Sequence, residues 1–458
     1  MKNVCCSEFA PRKVWMKTFG CQMNYHDSER ILYHLDKLNF TLVKSREEAD
    51  LVIFNTCAIR ELANNKFYSQ LGEFKKIKLK RPDLIIGICG CVSQIEGAAL
   101  IKKFKHLDFA FGTDCIDRLP EMICRIDGGE RGFHINSWDQ SENYSIETEI
   151  THNSPQAFVN ITKGCNNYCS YCIVPYTRGR EKSRSLVEVV DDVRNLVETR
   201  GIQEVTLLGQ NVNSFGRENR ETFPELLARL NEISGLSIIR YVTSHPRDMS
   251  DELIKVHGEL EKLAGHLHLP VQSGSNSVLK RMNRGYTREY YLDLLFKLRR
   301  AKKDIVVSSD IIVGFPNETE AEFQDTMDLL EKAKFDFVFS FCFSPRKGTK
   351  AFQMKDTLSN ETRSNRLQAL QKKQLLIQGN IRKQLQGRTM RILVDGANRM
   401  DGVLKWKGRT ECNRIVHFEP VGPNDNLRWH WIDVEILSST ALSAQGKLLF
   451  DHGLNKSK

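Results

Sequence analysis

Long apolar runs are missing from this sequence. No uncharged apolar stretch of about 18 residues occurs, which excludes a membrane-spanning helix. The N-terminus, MKNVCCSEFAPRK, has no apolar core of the kind a secretory signal requires, so a cytoplasmic protein without a membrane partner is expected. That compartment is reducing, and the 13 cysteines are not expected to form a disulfide framework. Also missing is a fourth metal ligand in GCNNYCSYCIVPYTRGR (164–180). Cys165, Cys169 and Cys172 stand there in a Cys-x3-Cys-x2-Cys spacing, with no fourth cysteine and no histidine in the loop. Tetrahedral zinc and complete cubanes usually take four protein ligands. Three thiolates can hold three irons of a four-iron cubane and leave the fourth open to a small molecule. A structural zinc knuckle is the alternative on spacing alone.

What is present reads as a soluble, globular α/β protein. At 458 residues, 40% apolar and 27% charged, the chain is long enough for about three domains. The net charge of +10 is uneven: residues 361–458 hold 17 Lys/Arg against 9 Asp/Glu, a net of +8. Such an excess is either a solvated surface or a footprint for nucleic acid.

Over residues 14–127 short apolar runs alternate with helical patterns. VWMKTFGC (14–21), DLVIFNTC (50–57) and DLIIGICGC (83–91) each end in cysteine, and LDFAFGT (107–113) follows. Alternation of this kind implies a doubly wound parallel sheet. Ligands of such sheets bind beyond the carboxyl ends of the strands, where Cys21, Cys57 and Cys91 fall. If their strands are neighbours, three thiols meet at one edge. Buried, inert cysteines are the alternative, and Cys89 competes with Cys91. Cys5, Cys6, Cys115, Cys124, Cys342 and Cys412 show no such arrangement.

From about residue 158 the alternation restarts. Strands are expected in AFVNIT, EVTLL, SIIRYVT, HLHLPV, IVVSSDIIV and FDFVFSFCF. A helix is expected from Leu186, with Ser185 and Glu188 as a capping box and Gly201 as its stop. Six βα units suit a partial (βα)6 barrel, whose carboxyl-end face carries the three-cysteine loop.

The cysteine loop, with aromatic Tyr171 before its last cysteine, resembles the signature of radical S-adenosylmethionine enzymes. The wider set TFGCQMN (18–24), NTCAIRELANNK (55–66), GCVSQ (90–94), LLGQNVNSFG (207–216), HLPVQSGS (268–275), DIIVGFPNET (310–319) and FSPRKGT (343–349) resembles the methylthiotransferases of that superfamily. This resemblance implies two 4Fe-4S clusters, an auxiliary one on Cys21, Cys57 and Cys91 and a radical-generating one on Cys165, Cys169 and Cys172, with S-adenosyl-L-methionine as cofactor. In the family the open iron chelates the methionine moiety, and reductive cleavage yields a 5′-deoxyadenosyl radical. One S-adenosylmethionine methylates a sulfur associated with the auxiliary cluster; a second supplies the radical for C–S bond formation. Cofactor contacts are implied near Tyr171, Gln210, Asn211, Gln272, Ser273 and Asp310. GQNV (209–212) departs from the Gly-Gly-Glu-Pro stretch of many radical enzymes. Asp310 and Gly314 follow the fifth strand, where a close-packed turn is an equal alternative, and Asn317 stands where glycine is usual.

Residues 361–386 read as a basic amphipathic connecting helix. Beyond it, MRILVDG and WIDVEILS alternate like strands of a small β-barrel, with GRTECNR (408–414) between them. This resembles the RNA-binding TRAM domain, and implies RNA contacts at Arg409, Thr410, Asn413 and Arg414; a stabilising lid is the alternative. The implied organisation is a flexible N-terminus 1–11, a methylthiotransferase domain 12–130, a linker 131–150, a radical core 151–381 and the small barrel 384–450. TFGCQMN is closest to the subfamily that adds a methylthio group to C2 of N6-(dimethylallyl)adenosine beside the tRNA anticodon. Partners implied are the tRNA anticodon stem-loop and an electron donor such as flavodoxin or ferredoxin, with a monomeric chain. Relatives acting on threonylcarbamoyladenosine or on a ribosomal protein are alternatives inside the family. A non-catalytic iron–sulfur redox sensor that binds RNA is the alternative outside it.

Overall fold

A computed structural model describes residues 11–58, 61–137, 146, 148, 154–400, 403–419 and 426–451. The expected N-terminal segment through residue 10, with Cys5 and Cys6, most of the second half of the expected linker, and the first half of VGPNDNLRWHWID lie outside the described residues.

The first unit runs β1 (Arg12–Thr18), α1 (Gln22–Asp36), β2 (Phe40–Leu42), β3 (Leu51–Thr56), α2 (Glu61–Lys80), β4 (Ile85–Gly90), α3 (Cys91–Lys103), β5 (Phe109–Phe111), α4 (Leu119–Asp127) and β6 (Phe133–Ile135). Its six strands pair in parallel in the order β2-β1-β3-β4-β5-β6. The central strands β3 and β4 are buried throughout because helices cover both faces. Side chains alternate between two apolar layers: Leu51, Ile53 and Cys89 enter one, Val52, Phe54, Ile86 and Ile88 the other. The short strands β2 and β6 add to the four expected from sequence.

The second unit comprises β7 (Gln156–Asn160), β8 (Thr162–Lys163), α5 (Val174–Thr177), β9 (Lys182–Ser183), α6 (Leu186–Arg200), β10 (Glu204–Leu208), α7 (Phe223–Asn231), β11 (Ile238–Tyr241), α8 (Asp251–Glu259), β12 (His266–His268), α9 (Asn276–Arg281), α10 (Arg288–Ala301), β13 (Val306–Val313), α11 (Glu320–Ala333) and β14 (Phe337–Cys342). All six expected strands form. β7, β10 and β11 make one parallel sheet and β12, β13 and β14 another, joined by a parallel bridge from Ile239 to Leu263. Among the described residues no ladder joins β7 to β14, so this six-strand barrel is open on that side. The capping box at Ser185 and Glu188 forms, and Gly201 ends α6 in the left-handed region at φ 64°.

α12 (Asn360–Lys383) then runs beside β14. Beside Leu370, its buried positions are polar: Arg363, Arg366, Gln374, Gln378 and Arg382. They bond to Gly314 O, Glu318, Phe335 O, Ala441 O and Asp336. The last unit, β15 (Thr389–Met400), β16 (Val403–Thr410), β17 (Ile415–Phe418), β18 (Trp431–Ser439) and β19 (Ala444–Asp451), closes into a barrel in the order β15-β16-β17-β19-β18. Ile392, Val394, Trp406, Val416, Phe418, Ile432, Val434 and Ile436 fill it.

The central barrel is covered at both ends. At the carboxyl ends of its strands, Ile173 joins the apolar layer of the first unit that contains Phe19, Ala58 and Cys91. Arg178 pairs with Asp27 at 2.6 Å and Lys163 with Asp114 at 3.1 Å. At the amino ends, Arg414 of the small barrel meets Asp336 at 2.6 Å, and Trp431 Nε1 donates to Gln203 Oε1 at 3.2 Å.

Candidate functional site

β1, β3 and β4 are neighbours, so Cys21, Cys57 and Cys91 stand beyond the carboxyl ends of three adjacent strands. Cys21 is the N-cap of α1 and Cys91 the first residue of α3. Helix N-termini favour negative charge, which suits thiolates at both positions. Asn24 fixes this corner: its Nδ2 donates to Thr56 O at 2.9 Å, and Asn55 Nδ2 donates to Asn24 O at 2.7 Å. Gly20 and Gly90 sit where side chains do not fit. A Cβ at residue 20 would lie 2.7 Å from Cys57 Cβ, and one at residue 90 would lie 2.4 Å from Thr56 O. Cys89 belongs to the opposite apolar layer, whereas Cys91 lies in the layer that receives Ile173. His26, buried on α1, has no hydrogen-bond partner at either ring nitrogen. Burial first, and nearby cations after it, lower its pKa to about 4.

The second triad follows β7 and β8, on the loop facing the first unit. Gly164 opens that loop at φ 72°, and a Cβ there would lie 2.0 Å from Arg180 O. Cys165 and Cys169 are buried and Cys172 is half-buried. Burial pushes the Cys165 thiol up to about 11 and the Cys172 thiol up to about 12. Thiols so placed stay protonated at neutral pH until a metal displaces the proton. One partner that sequence reasoning missed is Arg284. Its guanidinium, 4% exposed, donates to Cys169 Sγ at 3.2 Å, to Tyr171 Oη at 3.4 Å and to Pro270 O at 2.9 Å. A fixed cation beside a thiolate compensates negative charge. All six thiols are free. Among the described residues no three His, Cys, Asp or Glu side chains are arranged to hold a single metal ion. A cubane asks for a different arrangement, with each thiolate on its own iron, and two triads of free thiols on glycine-bordered loops fit that donor set.

The segment 172–178 links the triads. Ile173, next to Cys172, packs in the layer that contains Cys91, and Arg178 ion-pairs with Asp27, on the helix that Cys21 caps. Burial opposes the charge of Arg178, but Asp27 first, with Cys91 and Cys21 after it, prevails and holds its pKa above the ordinary value. The two candidate metal sites therefore face each other across one interface.

Other residues expected at the site divide. Gln210 Oε1 accepts from Gly164 N and so ties the strand end to the cysteine loop. Asn211 is buried and donates to Asp248 Oδ2 at 2.7 Å. Gln272, at φ 74°, forms a bridge to Ile311, and its backbone N donates to Asp310 O at 2.9 Å. Ser273 is fully buried with its hydroxyl 3.3 Å from Thr326 Oγ1 of α11. Asp310 lies inside β13 and not after it, facing His268 at 3.5 Å. Gly314 is a close-packed turn, where a Cβ would meet Arg363 at 2.3 Å.

In GRTECNR, Arg409 and Arg414 each meet a carboxylate of the protein. Arg414 points inward onto Asp336, and Arg409 binds Asp395 at 3.0 Å and Asn413 Oδ1 at 3.1 Å. Thr410 is buried; its carbonyl and that of Glu411 accept from Arg240. Arg414 and the carbonyls of Thr410 and Glu411 dock the small barrel on the central one, while Arg409 and Asn413 bond within the small barrel.

Residues 13–112 match the family described as Uncharacterized protein family UPF0004, and residues 159–330 match the Radical SAM superfamily. The chain is 43% identical over 441 residues to the tRNA-2-methylthio-N(6)-dimethylallyladenosine synthase of Trichlorobacter lovleyi, covering 96% of this chain and 99% of that protein. It is 43% identical over 447 residues to the synthase of the same name from Carboxydothermus hydrogenoformans, covering 96% and 100%. In fold it is similar to the radical S-adenosylmethionine methyltransferase TsrM from Kitasatospora setae, solved with cobalamin and an iron–sulfur cluster. That likeness has a TM-score of 0.53 at 14% identity and covers 73% of this chain and 75% of that one.

Proposed function

This chain belongs to the tRNA-2-methylthio-N6-dimethylallyladenosine synthase family of radical S-adenosylmethionine enzymes, and from that premise we propose how its own residues divide the work. The reaction is transfer of a methylthio group to C2 of N6-(dimethylallyl)adenosine in tRNA, and the cofactors are S-adenosylmethionine and two four-iron clusters. Cys165, Cys169 and Cys172 hold the radical-generating cluster, and Cys21, Cys57 and Cys91 hold the auxiliary one. When bound, a three-thiolate cubane supplies an open iron for S-adenosylmethionine and the electron for its cleavage.

The observation that carries this division is the apposition of the two triads through segment 172–178. Arg284 holds compensating positive charge at Cys169. Gln210 fixes the start of the cysteine loop. Arg178 and Asp27 clamp the first unit over the barrel. The target base must leave its stack to reach the space between the sites, at a cost of a few kcal/mol. The open side between β7 and β14 is the entry for the anticodon loop.

Arg414 and Thr410 anchor the small barrel to the central one, and Arg409 and Asn413 brace it internally. Phosphate contacts fall to exposed Arg391 and Arg399 on β15. A flavodoxin- or ferredoxin-type donor, a monomeric chain and a cytoplasmic location complete the proposal. Among the described residues no helix is long and apolar enough to cross a membrane. Anaerobic incubation of reduced, reconstituted protein with S-adenosylmethionine and a dimethylallylated anticodon stem-loop tests it. Both 5′-deoxyadenosine and methylthiolated RNA are expected; a protein that makes neither is not this enzyme.

A further inference from the structure

The interior of the central barrel holds a feature that the cluster sites leave unused. On β12, β13 and β14, one set of side chains faces the covering helices: Leu267, Val307, Ile311, Val313 and Val338 join the main apolar core. The alternate set faces the interior. His266 Nε2 and His268 Nδ1 lie 2.9 and 3.0 Å from Ser308 Oγ, and His268 Nε2 lies 3.5 Å from Asp310. Phe339 shares this face, with its ring 5.8 Å from that of His268 and 4.6 Å from that of Phe337. Phe341 follows on the same face two residues later. Phe339 is 44% exposed and Phe341 42% exposed. Two phenylalanines thus present their rings to an interior space on the strand that borders the open side.

Position along the strand gives this wall a direction. At its amino end, the charges of Arg240, Asp336 and Arg414 surround His266 and close the floor. At its carboxyl end, Phe341 pairs in register with Ile312, which packs with Tyr171 of the cysteine loop on one apolar cluster. An apolar, aromatic surface therefore leads from the open side toward Cys172, with the polar pair His268 and Asp310 beside it.

We propose that Phe339 and Phe341 form the wall against which the flipped adenine and its dimethylallyl group lie, so that they select the prenylated base over plain adenosine. This rests on the reading given under Proposed function. Aromatic faces stack on a base regardless of its edge, and the branched five-carbon substituent covers ring surface that an unsubstituted amine leaves wet. Asp310, oriented by His268, offers an acceptor to the edge of the base.

The test uses full-length reconstituted protein and two synthetic anticodon stem-loops of one sequence, with N6-dimethylallyladenosine or adenosine at the target position. Affinities are measured at one salt concentration for wild type, Phe339→Ala, Phe341→Ala and Phe339→Leu. Loss of one base–aromatic stack weakens the prenylated RNA by roughly 5- to 100-fold. The preference over the plain RNA should fall about tenfold in the alanine variants. Phe339→Leu, which keeps apolar bulk, should retain much of the preference while losing affinity. An unchanged preference in both alanine variants overturns the proposal. So does loss of S-adenosylmethionine binding by the RNA-free variants, which would assign the wall to the cofactor. A wild-type protein without any preference would instead contradict the substrate reading on which the proposal rests.

Discussion

Asp336 is the residue whose removal most directly tests how the small barrel is held. It is 4% exposed and receives two guanidinium groups, Arg414 at 2.6 Å and Arg382 at 2.9 Å. Burial by itself raises its pKa, but the two arginines outweigh it, and the carboxyl is held below the usual aspartate range. Asp336→Asn keeps the shape and leaves two buried cations without their counter-charge. Breaking a buried pair from one side costs about 3–5 kcal/mol. At about 2–4 °C per kcal/mol for units of this size, the midpoint of thermal unfolding should fall by roughly 10 °C. Arg414→Ala leaves Asp336 paired with Arg382 and should cost less. The double variant should be less unstable than the sum of the two. Because the folded pKa is depressed, the stabilisation is present above the unfolded value and lost as pH falls through the folded one. The variant and wild type should therefore converge only in acid, below the ordinary aspartate range. Thermal unfolding with limited proteolysis reads the effect, with new cleavage expected between residues 384 and 419. An Asp336→Asn protein with unaltered midpoint and unaltered proteolysis would refute this account of the docking.

The cysteine assignments predict different losses. Replacing Cys165, Cys169 and Cys172 together by alanine should lower iron from about eight to about four per chain and abolish 5′-deoxyadenosine formation, as read by iron assay and chromatography. Cys21→Ala, Cys57→Ala or Cys91→Ala should keep some S-adenosylmethionine cleavage and lose methylthiolated RNA. Cys89→Ala, in the opposite apolar layer, should keep iron content and product, with only a stability cost. Arg284→Met removes the donor to Cys169 Sγ and should lower the midpoint potential of that cluster, measured by redox titration followed by electron paramagnetic resonance.

The sequence makes some of these features readable because its periodicities are local. Alternating apolar runs locate all six strands of the central barrel, and Ser185, Glu188 and Gly201 mark both ends of α6. Cysteines at the ends of three runs become neighbours because β1, β3 and β4 are adjacent in the sheet. Strands β2 and β6 escape notice since they are short strands at the two edges of the sheet and lie in no long apolar run. The buried face of α12 is hidden for a different reason: apart from Leu370 it is mostly arginines and glutamines, which read as solvated until Asp336, Glu318 and backbone carbonyls are seen against them. The carboxylates that meet the arginines of GRTECNR, Asp336 and Asp395, lie 78 and 14 residues away, and no spacing marks them. Arg284 lies 115 residues from Cys169, and no spacing links them. The exposure of Phe339 and Phe341 has no sequence signal either, since an apolar strand at a barrel edge reads like one in its core.

The central claim is the identity of the product, and nucleoside mass analysis of tRNA tests it most directly. Transfer RNA is compared from cells with this protein, cells without it, and cells carrying the Cys165, Cys169 and Cys172 alanine variant. The account predicts that 2-methylthio-N6-(dimethylallyl)adenosine disappears in the last two and that N6-(dimethylallyl)adenosine accumulates in its place. Unchanged methylthiolation of that nucleoside, or loss of a different modified nucleoside, would contradict it.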